Sequence, residues 1–162
     1  MKKLFRYAVA GLAVGPFILF VQIGRFLVGK ERAVALCGPY GTALAKAFLA
    51  IILPRIERPE EFPRLVAGAK ARFWLWQPLY DFEVRQDNDD TLELAIWNCP
   101  FCELLSLAGV PELNRHVCQG DWEFAQDNQD KWVFARTREI GKGDPYCNHT
   151  YRRLTPQPPA AP

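Results

Sequence analysis

Eighteen consecutive residues close to the N-terminus, Tyr7 to Gly24, carry no charged side chain. A helix rises about 1.5 Å per residue, so this stretch is just long enough to cross the hydrocarbon core of a bilayer. Gly15 and Pro16 lie in its middle, where a bilayer helix tolerates them but a water-exposed helix would break. We therefore predict a transmembrane helix over residues 7–24.

The flanks of this stretch leave a second interpretation open, which is a cleaved signal peptide. Lys2, Lys3 and Arg6 would form its basic segment. No small-x-small cleavage pattern follows, however, because the sequence continues with Gln22 to Arg25. The absence of a cleavage pattern favours a transmembrane anchor that stays part of the mature protein.

A second apolar stretch, residues 33–53, has Lys46 as its only charged residue. It contains CGPYG at Cys37 to Gly41, residues that usually end or interrupt a helix. We predict a regular helix only after this break, over residues 42–53. That helix would lie in the membrane interface or in the core of a soluble domain.

Charge is distributed unevenly along the chain. Residues 1–58 hold nine Lys/Arg against two Glu, a net charge of +7, whereas residues 59–162 hold eleven against sixteen acids, a net charge of −5. A cationic, apolar segment predicts contact with membrane lipid, and an acidic body argues against nucleic-acid binding. The expected location is a bacterial-type inner membrane, with one span or a hairpin as the anchor.

The segment PRIERPEEFP, residues 54–63, contains three prolines and cannot form a long helix or a central strand. It predicts a boundary between a membrane-anchoring segment, residues 1–58, and a globular domain, residues 59–154. The last residues, 155–162, have the composition of a disordered tail.

The periodicity of the globular domain predicts two hairpins separated by helices. Apolar residues alternate on both sides of the turn DNDD, and a second pair of such runs flanks GKGDPY. We therefore predict an α+β fold, with a four-stranded antiparallel sheet of two hairpins and helices on one face, preceded by the transmembrane helix. The predicted helices cover residues 62–76, 100–108 and 111–126, and the predicted strands cover residues 79–86, 91–98, 131–140 and 147–154.

Four of the five cysteines lie in this domain, at Cys99, Cys102, Cys118 and Cys147. Each falls on a helix or close to the end of a predicted element, so the fold can bring their sulfurs together at one end of the sheet. A CxxC pair and two further thiolates form a ligand set for zinc or for an iron–sulfur cluster. We name these four cysteines as candidate metal ligands.

Other kinds of cysteine chemistry stay open at this point. CPFC between a strand and a helix is compatible with a thioredoxin-type redox motif, although no βαβ pattern surrounds it. Two disulfides are compatible with an exported domain and would leave Cys37 unpaired. A c-type haem is disfavoured, because Glu103 follows Cys102 where a histidine is needed.

Three polar residues near these cysteines are candidates for proton transfer. His149 follows Cys147 by two residues, so the two share one strand face. Asp121 follows Cys118 by three residues, so these two share one helix face. His116 is a weaker candidate for the same role, and Asp144 is more typical of a turn residue.

The motifs of residues 97–151 resemble those of the L-2-amino-thiazoline-4-carboxylic acid hydrolase family. The resembling features are a cysteine after a strand, the stretch Ala108 to Glu112, a Cys-x-x-Asp helix motif at Cys118 and Asp121, and a glycine turn at Gly143 before Cys147 and His149.

This resemblance implies a small-molecule substrate and hydrolytic opening of its cyclic C=N group. It implies Asp121 as general base, with Cys118 and His149 as further catalytic residues. The alternative is a cysteine-ligated zinc or iron–sulfur accessory subunit of a larger membrane complex, serving electron transfer or support. A membrane-anchored accessory protein with purely structural cysteines is a third possibility.

Overall fold

A computed structural model describes residues 2–155 of the chain. It contains five α-helices and a four-stranded antiparallel sheet, so the predicted α+β class is confirmed. The helices are α1 (Lys2–Val28), α2 (Lys30–Ile52), α3 (Phe62–Trp76), α4 (Pro100–Leu107) and α5 (Asn114–Gln126). The strands are β1 (Phe82–Asp87), β2 (Thr91–Ile96), β3 (Trp132–Ala135) and β4 (Cys147–Arg153). Apart from Thr155, the predicted tail lies outside the described residues.

The sheet consists of the two predicted hairpins, joined so that the strand order is β1-β2-β4-β3. Strand β2 pairs with β4 in a register that sets Leu94 opposite His149 and Ile96 opposite Cys147. Because side chains alternate along a strand, these residues share one face of the sheet. That face is buried against the helices, in a core that also contains Phe62 of α3.

Helix α2 is longer than the sequence predicts, because it runs without interruption through CGPYG. Gly38 packs directly against the imidazole of His116 on α5, and a Cβ at this position would clash with it. Gly120 of α5 faces α2 in the same way, where an added Cβ would lie 2.6 Å from the Cβ of Ala45. The prediction of a helix break at CGPYG was wrong. Gly38 does not end the helix, because its missing side chain allows α2 and α5 to pack closely.

Helices α1 and α2 form a hairpin that turns at Gly29, whose φ of 82° is in the left-handed region. The hairpin packs on α4 and α5 along its length, and side chains from α1 contribute to two apolar clusters with the body. Leu49 and Ile52 of α2 lie in the main core together with the sheet and α3. The segment 54–63 therefore connects two parts that share one core.

Both helices of this hairpin are long and apolar enough to cross a membrane by length and composition. Their inner face contacts the body, while their outer face exposes large apolar side chains to solvent. We call this surface the outer apolar face. It comprises Leu12, Leu19, Phe20, Ile23, Phe26 and Leu27 of α1 and Leu36, Tyr40, Leu44 and Ile51 of α2.

Candidate functional site

A cavity of about 60 Å³ lies where α2, α3 and α5 meet the sheet. Its wall is mostly apolar, but five chemically reactive side chains converge on it from α5, from β4 and from the residue before α4. Every residue predicted to be catalytic is among them. The five are Cys99, Cys118, Asp121, Cys147 and His149.

Asp121 lies one turn after Cys118 on α5, which places both side chains on the face of the helix that meets the sheet. One carboxylate oxygen accepts a hydrogen bond from Arg136 and lies 3.6 Å from Nε2 of His149. Burial raises the pKa of Asp121 to about 6, although the positive charge of Arg136 opposes this shift. A carboxyl with this pKa exchanges protons close to neutral pH.

Arg136 was not among the residues predicted from the sequence, yet its fully buried guanidinium organises the site. It donates to the backbone carbonyl of Cys118 at 2.9 Å and pairs with Glu139 at 3.3 Å, in addition to its bond with Asp121. A signal for it was present. Arg136 follows Trp132 and Phe134 at intervals of two residues, which places an arginine on the buried phase of a strand.

His149 is buried on β4, and burial together with the nearby Arg136 lowers its pKa to about 3. The ring is therefore neutral at physiological pH. Arginine can only donate, so the contact of 3.4 Å between Arg136 Nη1 and His149 Nε2 places the imidazole proton on Nδ1. Among the described residues, Nδ1 has no hydrogen-bond partner.

A second buried donor without a partner in residues 2–155 is Nε1 of Trp76, which also lines the cavity. Buried polar groups are nearly always hydrogen-bonded, so an unpaired donor in a cavity wall calls for an acceptor. Trp76 and His149 are thus two residues of the cavity wall with a ring nitrogen that has no partner among the described residues. The helical periodicity of residues 62–76 did not indicate an unpaired donor at Trp76.

Cys118 and Cys102 form a pair of thiols with opposite properties. The pKa of Cys118 is lowered because Cys102 hydrogen-bonds to its sulfur, while burial opposes the shift and Arg136 assists it. The pKa of Cys102 is raised by hydrogen bonds with Cys118 and Cys99 and by burial. Cys102 therefore stays protonated as the donor, and Cys118 is the thiol that ionises more readily. The Cys118 sulfur lies against Gly141, where an added Cβ would be 2.5 Å from Sγ.

Cys147 is a less acidic thiol on the same cavity wall. Burial raises its pKa to about 12, even though the backbone N–H of Ile140 donates to its sulfur at 3.2 Å. Cys102 faces a different cavity, which lies beside Tyr7 and Glu103. All five cysteines are free thiols.

The structure brings the predicted metal ligands near one another without forming a recognisable metal centre. Across residues 2–155, no group of three or more His, Cys, Asp or Glu side chains is arranged to hold a metal ion. The zinc or iron–sulfur cluster stays a prediction.

The remaining residues considered from the sequence lie outside the cavity wall. Cys37 is buried among apolar side chains between the hairpin and α4. His116 packs against Gly38, and its carbonyl accepts a hydrogen bond of 3.0 Å from Thr42. Asp144 accepts from the backbone N–H of Glu139 at 2.8 Å, which is the turn role that its sequence context suggests.

Comparison with known proteins gives one family. The model of the L-2-amino-thiazoline-4-carboxylic acid hydrolase family matches residues 17–151, from the middle of α1 to β4. No curated protein and no solved structure is significantly similar to the chain. The match covers most of the chain, including the hairpin helices, the cavity and its reactive side chains. The chain therefore belongs to the L-2-amino-thiazoline-4-carboxylic acid hydrolase family.

Proposed function

We propose that the protein hydrolyses a cyclic C=N bond of a small amidine-like ring in the cavity between α5 and the sheet. The observation that carries this proposal is the largely buried carboxyl of Asp121, whose side chain is 16% exposed. It has a pKa of about 6 and lies beside Cys118 and His149 in one cavity wall. A general base works best when its pKa is near the operating pH. Family membership supports hydrolytic chemistry of this kind.

In the first step, the oxygen of a water molecule adds to the ring carbon of the C=N group. Asp121 accepts one proton from this water, and the π electrons of the C=N bond move to the ring nitrogen. Asp121 then returns the proton to that nitrogen. When the C–N bond breaks, the hydroxyl proton also passes to the nitrogen, which leaves as an amine while the carbon becomes a carbonyl. Both water protons thus end on nitrogen, and the oxygen stays on carbon.

Other residues of the cavity bind and orient the ring. Nδ1–H of His149 and Nε1–H of Trp76 donate hydrogen bonds to acceptor atoms of the substrate. Cys118, whose pKa is lowered by the hydrogen bond from Cys102, lies beside Asp121 in the same wall and contacts the ring. Arg136 is a positioning residue, because its bonds to Asp121 and to the Cys118 carbonyl hold α5 against the sheet.

The test is ring opening of 2-amino-2-thiazoline compounds by the purified full chain. Asp121→Asn removes the base but keeps the side-chain size, and we expect kcat/KM to fall by about 10²- to 10⁴-fold. Asp130→Asn, on the exposed loop after α5, is the matched control and should leave the rate unchanged. Full activity of a folded Asp121→Asn protein would refute the general-base role.

We further propose that the protein attaches to a lipid bilayer through the outer apolar face of the hairpin. An exposed apolar surface of this extent typically contacts a membrane or another protein. Crossing the bilayer would carry α5 into hydrocarbon together with Arg115 and Glu123, because α5 packs along α2. Charged side chains in that environment cost several kcal/mol, about 3 each on insertion scales, so the hairpin lies in the interface instead.

Labelling of sealed vesicles with a membrane-impermeant maleimide tests this attachment. The turn of the hairpin is marked by Glu31→Cys and the body by Asp130→Cys, with the wild-type chain as the blank. An in-plane hairpin exposes both cysteines on one side of the membrane. Labelling of Glu31→Cys only after the vesicles are opened would show that the hairpin crosses the bilayer.

A further inference from the structure

The wall of the candidate active cavity has an acidic character that bears on its substrate. Asp121 lines it, whereas no Lys or Arg does among the residues that the structure describes. Arg136 is fully buried behind Asp121, and its guanidinium is already bound to Asp121, Glu139 and the carbonyl of Cys118. A carboxylate in this cavity would meet Asp121 without a free cation, which is electrostatically unfavourable.

A second cavity of about 40 Å³ adjoins the first and lies between α1 and α2. Four residues line both cavities, and the described lining of the second contains no charged side chain. The rings of Phe48 and Phe101 stand between the two spaces, edge to face, with centroids 5.1 Å apart. The four shared residues are Ala45, Phe48, Phe101 and Val117.

The second cavity leads outward to the lipid-facing side of the hairpin. Ala13 and Leu44 belong to its lining, and both side chains are exposed at the surface. Leu44 is itself part of the outer apolar face. An apolar path therefore runs from that face, between α1 and α2, to the aromatic pair that borders the Asp121 cavity.

We propose that the substrate is a cyclic amidine that carries an apolar chain where the substrate named in the family description carries a carboxylate. The ring lies beside Asp121, and the chain passes Phe48 into the second cavity and leaves between Ala13 and Leu44. A water molecule needs about 10–15 Å³ of such space, so the first cavity holds about five water-sized groups and the second about three. These sizes suit a small ring in the first cavity and the first carbons of a chain in the second. This assignment rests on the proposed ring hydrolysis, which it extends to a substrate class.

Binding can be measured without turnover by using aromatic 2-aminothiazoles, which resist the addition of water. Three ligands differ at ring carbon 4, which bears hydrogen, a carboxylate or a pentyl chain. Calorimetry on the full chain in lipid nanodiscs, corrected with empty nanodiscs, gives the three affinities. We expect the pentyl compound to bind at least about tenfold more tightly than the carboxylate, because the chain buries apolar surface. Equal or tighter binding of the carboxylate would overturn the assignment.

Matched variants locate the chain in the second cavity. Ala13→Trp fills the outer cavity, whereas Leu12→Trp places the same indole side chain one residue earlier on the exposed surface. Ala13→Trp should reduce the affinity ratio of the pentyl to the unsubstituted ring by about fivefold or more, and Leu12→Trp should preserve the ratio. Leu44→Trp provides a second block if Ala13→Trp does not fold. An equal ratio in a folded blocking variant and in Leu12→Trp would contradict the path.

Turnover of the corresponding 2-amino-2-thiazolines separates this inference from the proposed hydrolysis. If the pentyl ligand has the predicted affinity pattern but no thiazoline is opened, the cavity assignment stands and the hydrolysis proposal fails. If thiazolines are opened and the carboxylate compound is preferred in kcat/KM, hydrolysis stands and the substrate assignment is wrong. A preference for the pentyl compound in both measurements supports both.

Discussion

Asp121 experiences two opposing influences that together set its proton affinity. Removal from water disfavours the carboxylate and raises the pKa, while the guanidinium of Arg136 favours the carboxylate. The resulting pKa of about 6 leaves the group ionised, and so able to accept a proton, at neutral pH. The pKa of His149 is lowered to about 3, so this ring stays neutral over the same range.

The pH dependence of the reaction should report this carboxyl. Below its pKa Asp121 holds a proton and cannot act as a base, so kcat/KM should fall about tenfold per pH unit below 6. Above pH 6 the carboxylate predominates and the rate should level off. A rate profile between pH 4.5 and 8.5 measures the midpoint. A profile without a change near pH 6 would argue against Asp121 as the base.

The two thiols Cys118 and Cys147 offer a direct comparison, because they are 6% and 7% exposed. Hydrogen bonding from Cys102 lowers the pKa of Cys118, whereas burial raises that of Cys147 to about 12. Since the thiolate is the reactive form, iodoacetamide at pH 8 should modify Cys118 at least about tenfold faster. Peptide mass spectrometry measures both rates. Faster modification of Cys147 would contradict the assignment of Cys118 as the acidic thiol.

At the level of elements, the packing of α2 on α5 determines the position of the site. Gly38 and Gly120 let the two helices approach until side chains of one contact the backbone of the other. This approach presents Asp121 and Cys118 to the sheet and makes Ala45, Phe48 and Leu49 of α2 part of the cavity wall. Gly38, which lies in the stretch that predicts a helix break, is therefore a contact between two helices.

A pair of Gly→Ala substitutions separates contact from helix propensity. Gly11 in α1 has no atom within 4 Å of an added Cβ, so Gly11→Ala should raise the free energy of unfolding by about 0.5–1 kcal/mol. Gly120→Ala would place a Cβ 2.6 Å from that of Ala45 and 2.9 Å from the Thr42 carbonyl oxygen. It should lower the free energy of unfolding by about 1–2 kcal/mol. Denaturant unfolding of both variants tests this, and stabilisation by Gly120→Ala would refute the close contact.

At the scale of the whole molecule, ion pairs between the hairpin and the body explain part of the uneven charge distribution of the sequence. Three cations of the hairpin pair with acids of the body, from one end of the hairpin to the other. These are Arg6 with Asp81 at 2.7 Å, Lys30 with Glu112 at 2.6 Å and Lys46 with Asp127 at 2.6 Å. The positive segment and the negative body are thus complementary surfaces of one structure. Partly exposed pairs of this kind contribute little stability each, about 0–1 kcal/mol.

Removal of α1 should destabilise the body, because α1 is part of its packing. Val14 contacts a cluster with Phe101, and Val21 is buried with Leu105 and Leu113. Burial of a valine side chain contributes about 1.5–3 kcal/mol, so a chain starting at Lys30 should lose at least about 3 kcal/mol of unfolding free energy. Thermal and denaturant unfolding measure the loss, with deletion of residues 156–162 as the control. An unchanged stability would show that α1 is only an attachment.

Local sequence patterns were sufficient to predict most of the secondary structure and the strand pairing within each hairpin. Alternation at Leu92, Leu94 and Ile96 identified a half-buried strand, and turn residues identified where each hairpin reverses. These features are local, since side-chain period and turn chemistry depend on neighbouring residues. The same local rules placed Cys118 with Asp121 and Cys147 with His149.

Tertiary structure alone decided how these pairs meet and what surrounds them. The continuous helix through CGPYG, the buried Arg136 and the unpaired donor of Trp76 each depend on residues far away in the chain. A glycine ends a helix in water but allows close packing when another helix fills the space, and no local pattern distinguishes the two. Likewise, the pKa of Asp121 depends on burial and on Arg136, which become known only when α5 lies on the sheet.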